Sequence, residues 1–103
     1  MAKYLFVYHG GGTSAPADHK KIMDAWVGWF GSMGAAVIDG GNPVGKSSTV
    51  KSDGGLADGG GANPSSGYSL IEASSLEDAH KKAKGCPILK AGGTIEIAQC
   101  MDM

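Results

Sequence analysis

Residues 3–9 of the chain read Lys-Tyr-Leu-Phe-Val-Tyr-His and are followed by a run of three glycines. A stretch of aromatic and β-branched residues that stops at glycine predicts a β-strand. Both faces of this strand are apolar, since Tyr4, Phe6 and Tyr8 alternate with Leu5 and Val7. A strand that is apolar on both faces needs an apolar cover on each side of its sheet.

Two helices and further strands are predicted downstream of this first strand. Ser14 and Pro16 favour the start of a helix that Gly34 ends, and apolar residues recur within it at three- and four-residue steps. Ser75 stands three residues before Asp78, which is the spacing of a capping box at the start of a second helix. Strands are predicted at residues 3–9, 35–38, 47–51, 68–73 and 94–101, the third of them as a hairpin strand within a glycine-rich segment at 39–67.

This order of strand, helix, strand, hairpin, strand, helix and strand is the split-βαβ, ferredoxin-like order. It predicts an α+β fold in which an antiparallel sheet carries both helices on one face. Because the helices cover only one face, the sequence predicts a homodimer that packs sheet against sheet. Apolar area buried in such an interface is worth about 25 cal/mol per Å², so even a modest contact contributes several kcal/mol.

Composition narrows the classes of partner. The chain has 103 residues, so we expect residues 1–103 to form a single domain. All nine basic residues are lysine and the formal net charge is −1, so neither nucleic acid nor an anionic membrane is expected as a partner. Two cysteines and no leader-like stretch predict reduced thiols in the cytoplasm. The histidine and cysteine spacing fits no zinc site, and we expect no metal and no cofactor.

Two glycine-rich segments resemble ligand-binding loops. Residues 40–47 match the phosphate-loop pattern G-x-x-x-x-G-K-[ST], but that site needs a helix to start at the lysine. The residues after Ser47 have no helical period, so we interpret this segment as a turn. The glycine turn after His9 leads into the predicted first helix, where free backbone amides are suited to a carboxylate or phosphate of a small ligand.

Polar residues at the ends of the predicted strands are candidate site residues. His9 can reach a pocket at the end of the sheet, and the alternative is a hydrogen-bonded histidine at its rim. His19 continues the apolar stripe of the first helix, so it faces a pocket or lies at the edge of the core. Glu72 and Glu96 fall on strands expected to flank the first strand, where they either share a cavity as acid and base or are separate rim carboxylates.

Two further residue types are interpreted mainly as structural. Cys86 precedes Pro87 at the C-terminal end of a helix, where the helix dipole disfavours a thiolate. Trp26, Trp29 and Phe30 recur at helical spacing, which favours the core over a role in stacking on a ligand.

The same segments, taken together, resemble the YCII-related, DGPF-type proteins. The resemblance rests on the opening strand, the tryptophan-containing first helix, the Asp58-Gly59 turn, residues 67–73, the helix start at 76–79, Pro87, and the Ile-Glu-Ile of residues 95–97. It implies a ferredoxin-like protomer of a dimeric α+β barrel, with a pocket between sheet and helices, in a bacterial cytoplasmic protein of unknown function. Some members of the family are thought to be enzymes that use a histidine of the first helix and an aspartate just before the proline that follows the second helix.

This chain departs from that pattern, because Cys86 stands where the aspartate would precede Pro87 and His19 lies upstream of the expected histidine. We therefore predict a homodimer that binds a small ligand, with carboxylates as one candidate class. The predicted ligand-binding residues are His9, His19, Asp58, Tyr68, Glu72 and Cys86. A lyase or isomerase that uses His9 or His19 as a general base is the first alternative. A structural or partner-binding dimer without a ligand is the second.

Overall fold

The computed structural model describes residues 1–11 and 19–102 of the chain. Its helices are α1 (His19–Met33) and α2 (Leu76–Ala83), and short 3₁₀ turns occupy Gly34–Ala36 and Pro87–Leu89. Its strands are β1 (Ala2–His9), β2 (Val37–Asp39), β3 (Ser48–Val50), β4 (Leu56–Asp58), β5 (Ser65–Ala73) and β6 (Thr94–Gln99). The predicted helix start at Ser14 and Pro16 lies outside the described residues. Within the described ranges, no helix has the length and apolar character needed to cross a membrane.

Four strands form an antiparallel sheet in the order β2-β5-β1-β6. β1 lies at the centre, paired with β5 on one side and β6 on the other, as the ferredoxin-like order requires. The predicted α+β fold, with two helices packed on an antiparallel sheet, is confirmed. β3 and β4 pair with each other in a separate hairpin.

The helices cover the face of β1 that carries Tyr4, Phe6 and Tyr8. All three side chains are buried, at 4% exposure or less. Phe6 stacks with Trp29 of α1 at 6.4 Å between ring centroids, and Trp29 Nε1 donates a hydrogen bond to Lys82 O at 2.8 Å. Trp29 therefore joins α1 both to the sheet and to α2.

The start of α2 carries the predicted cap. Ser75 Oγ accepts a hydrogen bond from the backbone N–H of Asp78 at 3.1 Å, and Asp78 Oδ2 accepts one from the backbone N–H of Ser74 at 3.0 Å. These bonds satisfy donors that would otherwise have no partner at the helix N-terminus. Lys82 pairs with Asp78 one turn later, at 3.0 Å.

Several strand boundaries differ from the prediction. Gly34, with φ of 55°, ends α1, but the chain then continues as a 3₁₀ turn, so β2 begins at Val37 rather than residue 35. β5 begins at Ser65 because the chain after β2 runs alongside it, with Val44 N–H bonded to Ser66 O at 3.0 Å. β4 was not predicted, since Leu-Ala-Asp between glycine pairs has little β-propensity.

The chain after Ser47 forms strand β3, which confirms the predicted hairpin strand. The helix that a phosphate loop would need after Lys46 is replaced by this strand, which pairs with β4. All six residues of the two strands are exposed, including Val50 at 69% and its cross-strand partner Leu56 at 73%.

The face of the sheet away from the helices carries Leu5, Val7 and Leu70, all only partly buried. The molecule measures 43 × 43 × 18 Å along its principal axes. Its thickness of 18 Å corresponds to one sheet and one layer of helices, since packed layers lie about 10 Å apart. This second apolar face is the one that the sequence expects a second copy to cover.

Gly41 follows β2 and holds the edge of the sheet close to β5. Its φ is 72°, and a Cβ atom placed on it would lie 1.8 Å from Tyr68 O. Its N–H donates a hydrogen bond to Asp39 Oδ1 at 2.8 Å, which fixes the tight turn. Only glycine fits this position without moving the backbone.

Replacing Gly41 tests this close approach. We expect Gly41→Ala to lower the free energy of unfolding by about 3 kcal/mol, because the left-handed conformation and the overlap with Tyr68 O both disfavour a Cβ atom. Gly45→Ala is the matched control, since Gly45 lacks a left-handed φ and has open space around it. Urea denaturation of both variants provides the comparison, and equal midpoints would contradict the described turn.

Candidate functional site

A cavity of about 810 Å³ lies between α1 and the edge of the sheet. Four parts of the chain line it: the end of β1 with its glycine turn, α1, the glycine-containing segment after β2 together with the start of β5, and the residues around the 3₁₀ turn at Pro87–Leu89. Its size is that of typical sites for small molecules, which span about 300–1,000 Å³. The cavity is therefore the candidate functional site of the described chain.

Aromatic side chains form one wall of the cavity. Trp26 and Phe30 lie four residues apart, on the same side of α1, and their ring centroids are 5.9 Å apart. Tyr8 of β1 meets Trp26 edge to face, at 5.0 Å and an interplanar angle of 79°. Trp26 and Phe30 are only partly buried, whereas Trp29 between them is buried at 6% exposure. The wall thus keeps aromatic surface available to a ligand.

The hydroxyl group of Tyr8 is held in a directed chain of hydrogen bonds. It donates to Ser69 Oγ at 2.7 Å, and Ser69 Oγ donates to Gly40 O at 2.7 Å. Burial raises the pKa of the Tyr8 phenol well above its ordinary value. The side chain is consequently neutral at physiological pH, and it serves the cavity as a fixed aromatic wall rather than as an acid or base.

Glycine backbone brings the turn after β1 close to the 3₁₀ turn. Gly10 and Gly11 have φ of 72° and 90°, and both line the cavity. A Cβ atom on Gly11 would lie 2.8 Å from Ile88 Cγ1, and one on Gly93 would lie 2.7 Å from His9 O. This is the glycine turn that the sequence singled out for ligand binding, and the helix start that it was expected to join falls outside the described residues.

The structure does not bring the predicted ligand-binding residues together. Tyr68 is among the residues that surround the cavity, but the alternation of β5 directs its side chain to the open face of the sheet. There its hydroxyl group accepts a hydrogen bond from Asn42 Nδ2 at 3.3 Å. His19 is exposed as the first residue of α1, and Asp58 is exposed at the end of the hairpin strand β4.

The two predicted carboxylates, Glu72 and Glu96, lie on the strands that flank β1, as expected, but at different positions along the strand direction. Glu72 faces Lys3 in the register of β1 and β5, and Glu96 faces Val7 in the register of β1 and β6. Four residues of a strand span roughly 13 Å, so Glu72 and Glu96 do not share a cavity. Glu72 instead lines a second, smaller hollow of about 410 Å³ with Cys100 near the chain ends.

Cys86 is buried in the core at 2% exposure. Burial raises the pKa of its thiol to about 11, so the thiolate is scarcely populated at neutral pH. The cause is desolvation by burial, whereas the sequence argument invoked the helix dipole. This environment is unsuited to a nucleophile.

His9 lies on the open face of the sheet, opposite to the cavity. Its side chain is 11% exposed, with Nε2 3.1 Å from Glu96 Oε1 and Nδ1 3.2 Å from Pro64 O. Both neighbours are acceptors, so the doubly protonated ring satisfies both contacts and a neutral ring satisfies only one. The hydrogen bond with Glu96 is the main cause that raises the pKa of His9 above its ordinary value.

Sequence reasoning missed several residues that line the cavity. Lys21 and Lys90 belong to no recognisable sequence motif, and Trp26 and Phe30 were interpreted as core residues, yet all four line the cavity. The available signal for Trp26 and Phe30 was their place in an aromatic cluster on the helix that follows a glycine turn. Spacing alone did not separate the buried Trp29 from its half-exposed neighbours, because all three lie on adjoining faces of α1.

Comparisons with known proteins give a fold relationship. No family model matches the chain, and no curated protein sequence does. Among solved structures, it is similar to 5-chloro-2-hydroxyhydroquinone dehydrochlorinase (TftG) from Burkholderia phenoliruptrix AC1100, in complex with 2,5-dihydroxybenzoquinone. The TM-score is 0.56 at 16% sequence identity, over 98% of this chain and 94% of that one. At this identity the similarity shows a shared fold, which agrees with the α+β architecture described above.

The His9–Glu96 pair predicts a pH-dependent stability. Folding raises the pKa of His9, so the protonated histidine stabilises the folded protein. This contribution of His9 is fully present below the unfolded pKa of about 6.5 and is lost as pH rises through the folded pKa. We expect the urea midpoint of the wild type to fall as pH rises above about 6.5, and Glu96→Gln to weaken this fall. His80→Asn, on exposed α2 surface, is the control that should retain it. An unchanged pH profile in Glu96→Gln would contradict the pairing.

Proposed function

We propose that the protein is a homodimer of the dimeric α+β barrel type, related to the YCII proteins, and that it binds a small organic molecule between α1 and the sheet. The observation that carries this proposal is the cavity of about 810 Å³ with its wall of Tyr8, Trp26 and Phe30. A largely apolar cavity of this size with few polar groups is the usual form of a small-molecule site.

The side chains around the cavity support a binding role. Ile22 and Met23 line the space and remain 37% and 62% exposed, although apolar residues on a helix facing a sheet would ordinarily be packed. A ligand that contacts these side chains and the aromatic wall would remove their apolar surface from water, at about 25 cal/mol per Å². That burial supplies affinity without rearranging the core.

The ligand seen in the similar solved structure supports the same proposal. The complex of the dehydrochlorinase contains 2,5-dihydroxybenzoquinone, a small planar molecule. A protein of the same fold and nearly the same length thus holds a ligand of the size that this cavity admits.

The homodimer is supported by the open face of the sheet. Leu5 and Val7 of β1 lie beside Leu70 of β5, and within the described ranges no second layer covers them. A second copy of the same face would bury these residues and add a layer to the thin molecule. The His9–Glu96 pair at the margin of this face offers polar contacts for the rim of the interface.

The histidine-base alternative has less support from the geometry. Neither His9 nor His19 is among the residues that line the cavity. His9 also contacts acceptors through both ring nitrogens, which favours the protonated ring and disfavours a role as general base. A purely structural dimer would explain the open face, but it would leave the half-exposed Trp26 and Phe30 without a role.

Filling the cavity tests the binding role. Native mass spectrometry of the purified protein, before and after addition of 2-naphthoate as a probe, reports bound mass directly. We expect the wild type to bind and Ala25→Trp to lose binding at least tenfold, because the new ring occupies the cavity that Ala25 lines. Val27→Trp is the control, since Val27 is 65% exposed on α1 and lies outside the cavity lining. Equal binding by both variants would exclude this cavity as the site.

Charging the open face tests the homodimer. We expect wild-type protein to be dimeric by light scattering and Val7→Glu to be monomeric at micromolar concentration, because two uncompensated carboxylates would be buried in the interface. Val27→Glu adds the same charge to exposed α1 surface and should remain dimeric. Circular dichroism identifies any unfolded variant, in which case Leu5→Lys replaces it. A monomeric wild type would contradict the proposed assembly.

A further inference from the structure

The charges around the cavity indicate the class of ligand. We propose that the ligand is a planar aromatic anion, whose ring lies against Trp26 and whose charge is paired by Lys21 and Lys90. This inference rests on the proposed binding function and adds the chemistry that the cavity selects.

Lysines are the sole charged side chains among the described residues that line the cavity. Lys21 comes from α1 and Lys90 from the end of the 3₁₀ turn, and no aspartate or glutamate accompanies them in the described lining. The chain as a whole carries a formal net charge of −1, whereas the charged side chains of the described lining are positive. Such a site attracts anions and repels cations.

Within the described ranges, Lys21 and Lys90 line the cavity without an ion-pair partner. The ion pairs formed within the described ranges join Lys20 to Asp24, Lys82 to Asp78 and His9 to Glu96, and none of them involves Lys21 or Lys90. Both side chains are exposed, so they can follow an anionic group at the mouth of the cavity. Pairing with one exposed lysine contributes only weakly to affinity, and two of them together give roughly a tenfold preference for an anion.

The shape of the cavity favours a flat ligand. Trp26, Phe30 and Tyr8 supply aromatic faces and edges on one side. The first two residues after β2, Gly40 and Gly41, line the same space with backbone that carries no side chain. A Cβ atom on Gly40 would lie 3.9 Å from Phe30 Cζ, so a side chain there would narrow the gap between the ring and the sheet edge. Aromatic rings opposite peptide planes suit a planar ring, which contacts both surfaces with its faces or edges.

The ring and the charge are then recognised by different parts of the site. The ring enters between Trp26 and the glycine backbone, where apolar area is buried. The anionic group stays toward the exposed ends of Lys21 and Lys90, where it keeps part of its hydration. This division avoids the cost of placing an unpaired anion inside an apolar cavity.

A matched pair of probes tests whether the site prefers an anionic ligand. Isothermal titration calorimetry with 2-naphthoate and its neutral analogue 2-naphthamide compares one ring system with and without the anionic group. We expect 2-naphthoate to bind wild-type protein roughly tenfold more tightly at low salt. The difference should shrink at about 0.5 M salt, because exposed charges are screened over a few ångströms there.

Lysine variants test whether Lys21 and Lys90 cause the preference for 2-naphthoate over 2-naphthamide. We expect Lys21→Gln and Lys90→Gln each to reduce it about threefold, and the double variant to bind both probes equally. Lys20→Gln is the matched control, since Lys20 neighbours Lys21 on α1 but pairs with Asp24 and lies outside the lining. Glutamine is polar and uncharged and only one atom shorter than lysine, so at these exposed positions the variants change charge with little effect on folding.

The outcomes separate this inference from the binding function itself. Equal affinity of the wild type for 2-naphthoate and 2-naphthamide would overturn the anionic class and leave the binding function standing. Cyclohexanecarboxylate binding as tightly as 2-naphthoate would overturn the requirement for a planar ring. A preference for 2-naphthoate that survives in the double lysine variant would overturn the assignment to Lys21 and Lys90. Failure of both naphthalene probes to bind would overturn the inference and the proposed function together.

Discussion

The packing of Trp29 against the central strand is the contact on which the two-layer structure depends. Its ring stacks with Phe6, and its indole N–H is bonded to Lys82 O at 2.8 Å, so one side chain joins the sheet, α1 and α2. Within α1, Trp29 is the residue that is buried. The helix is therefore held to the sheet near its C-terminal half, while the aromatic side chains that surround this contact remain partly exposed.

The cavity lies beside this attachment, where Trp26 also meets Tyr8 of β1. Ile22 and Met23, in the N-terminal half of α1, remain exposed and line the open space. The glycines after β1 and β2 let two backbone segments approach where side chains would otherwise fill the gap. The aromatic surface, the glycine backbone and the two lysines thus line one cavity, and each contributes a different property: apolar contact, flatness and charge.

Much of the fold could be predicted from local patterns, whereas most of the site could not. The structure confirms the alternation of buried and partly buried side chains along β1, the helix cap at Ser75 and the order of the elements. Each of these features has a local cause in the sequence. The position of His9 could not be decided, because β1 is apolar on both faces and its sequence does not say which face the helices cover. The helices lie over Tyr8, so the neighbouring His9 faces the other way. Lys21 and Lys90 gave no signal, since exposed lysines occur on most soluble surfaces and become a site only through the elements that bring them together.

The two indole N–H signals of the protein provide the most direct test of the central claim, that a small molecule occupies the space beside Trp26. In a ¹H–¹⁵N correlation spectrum recorded during titration with 2-naphthoate, the Trp26 indole signal should move progressively, because its ring lines the cavity. The Trp29 indole signal should move far less, because its N–H stays bonded to Lys82 O in the core. A titration in which neither indole signal moves, or in which Trp29 alone responds, would contradict the account.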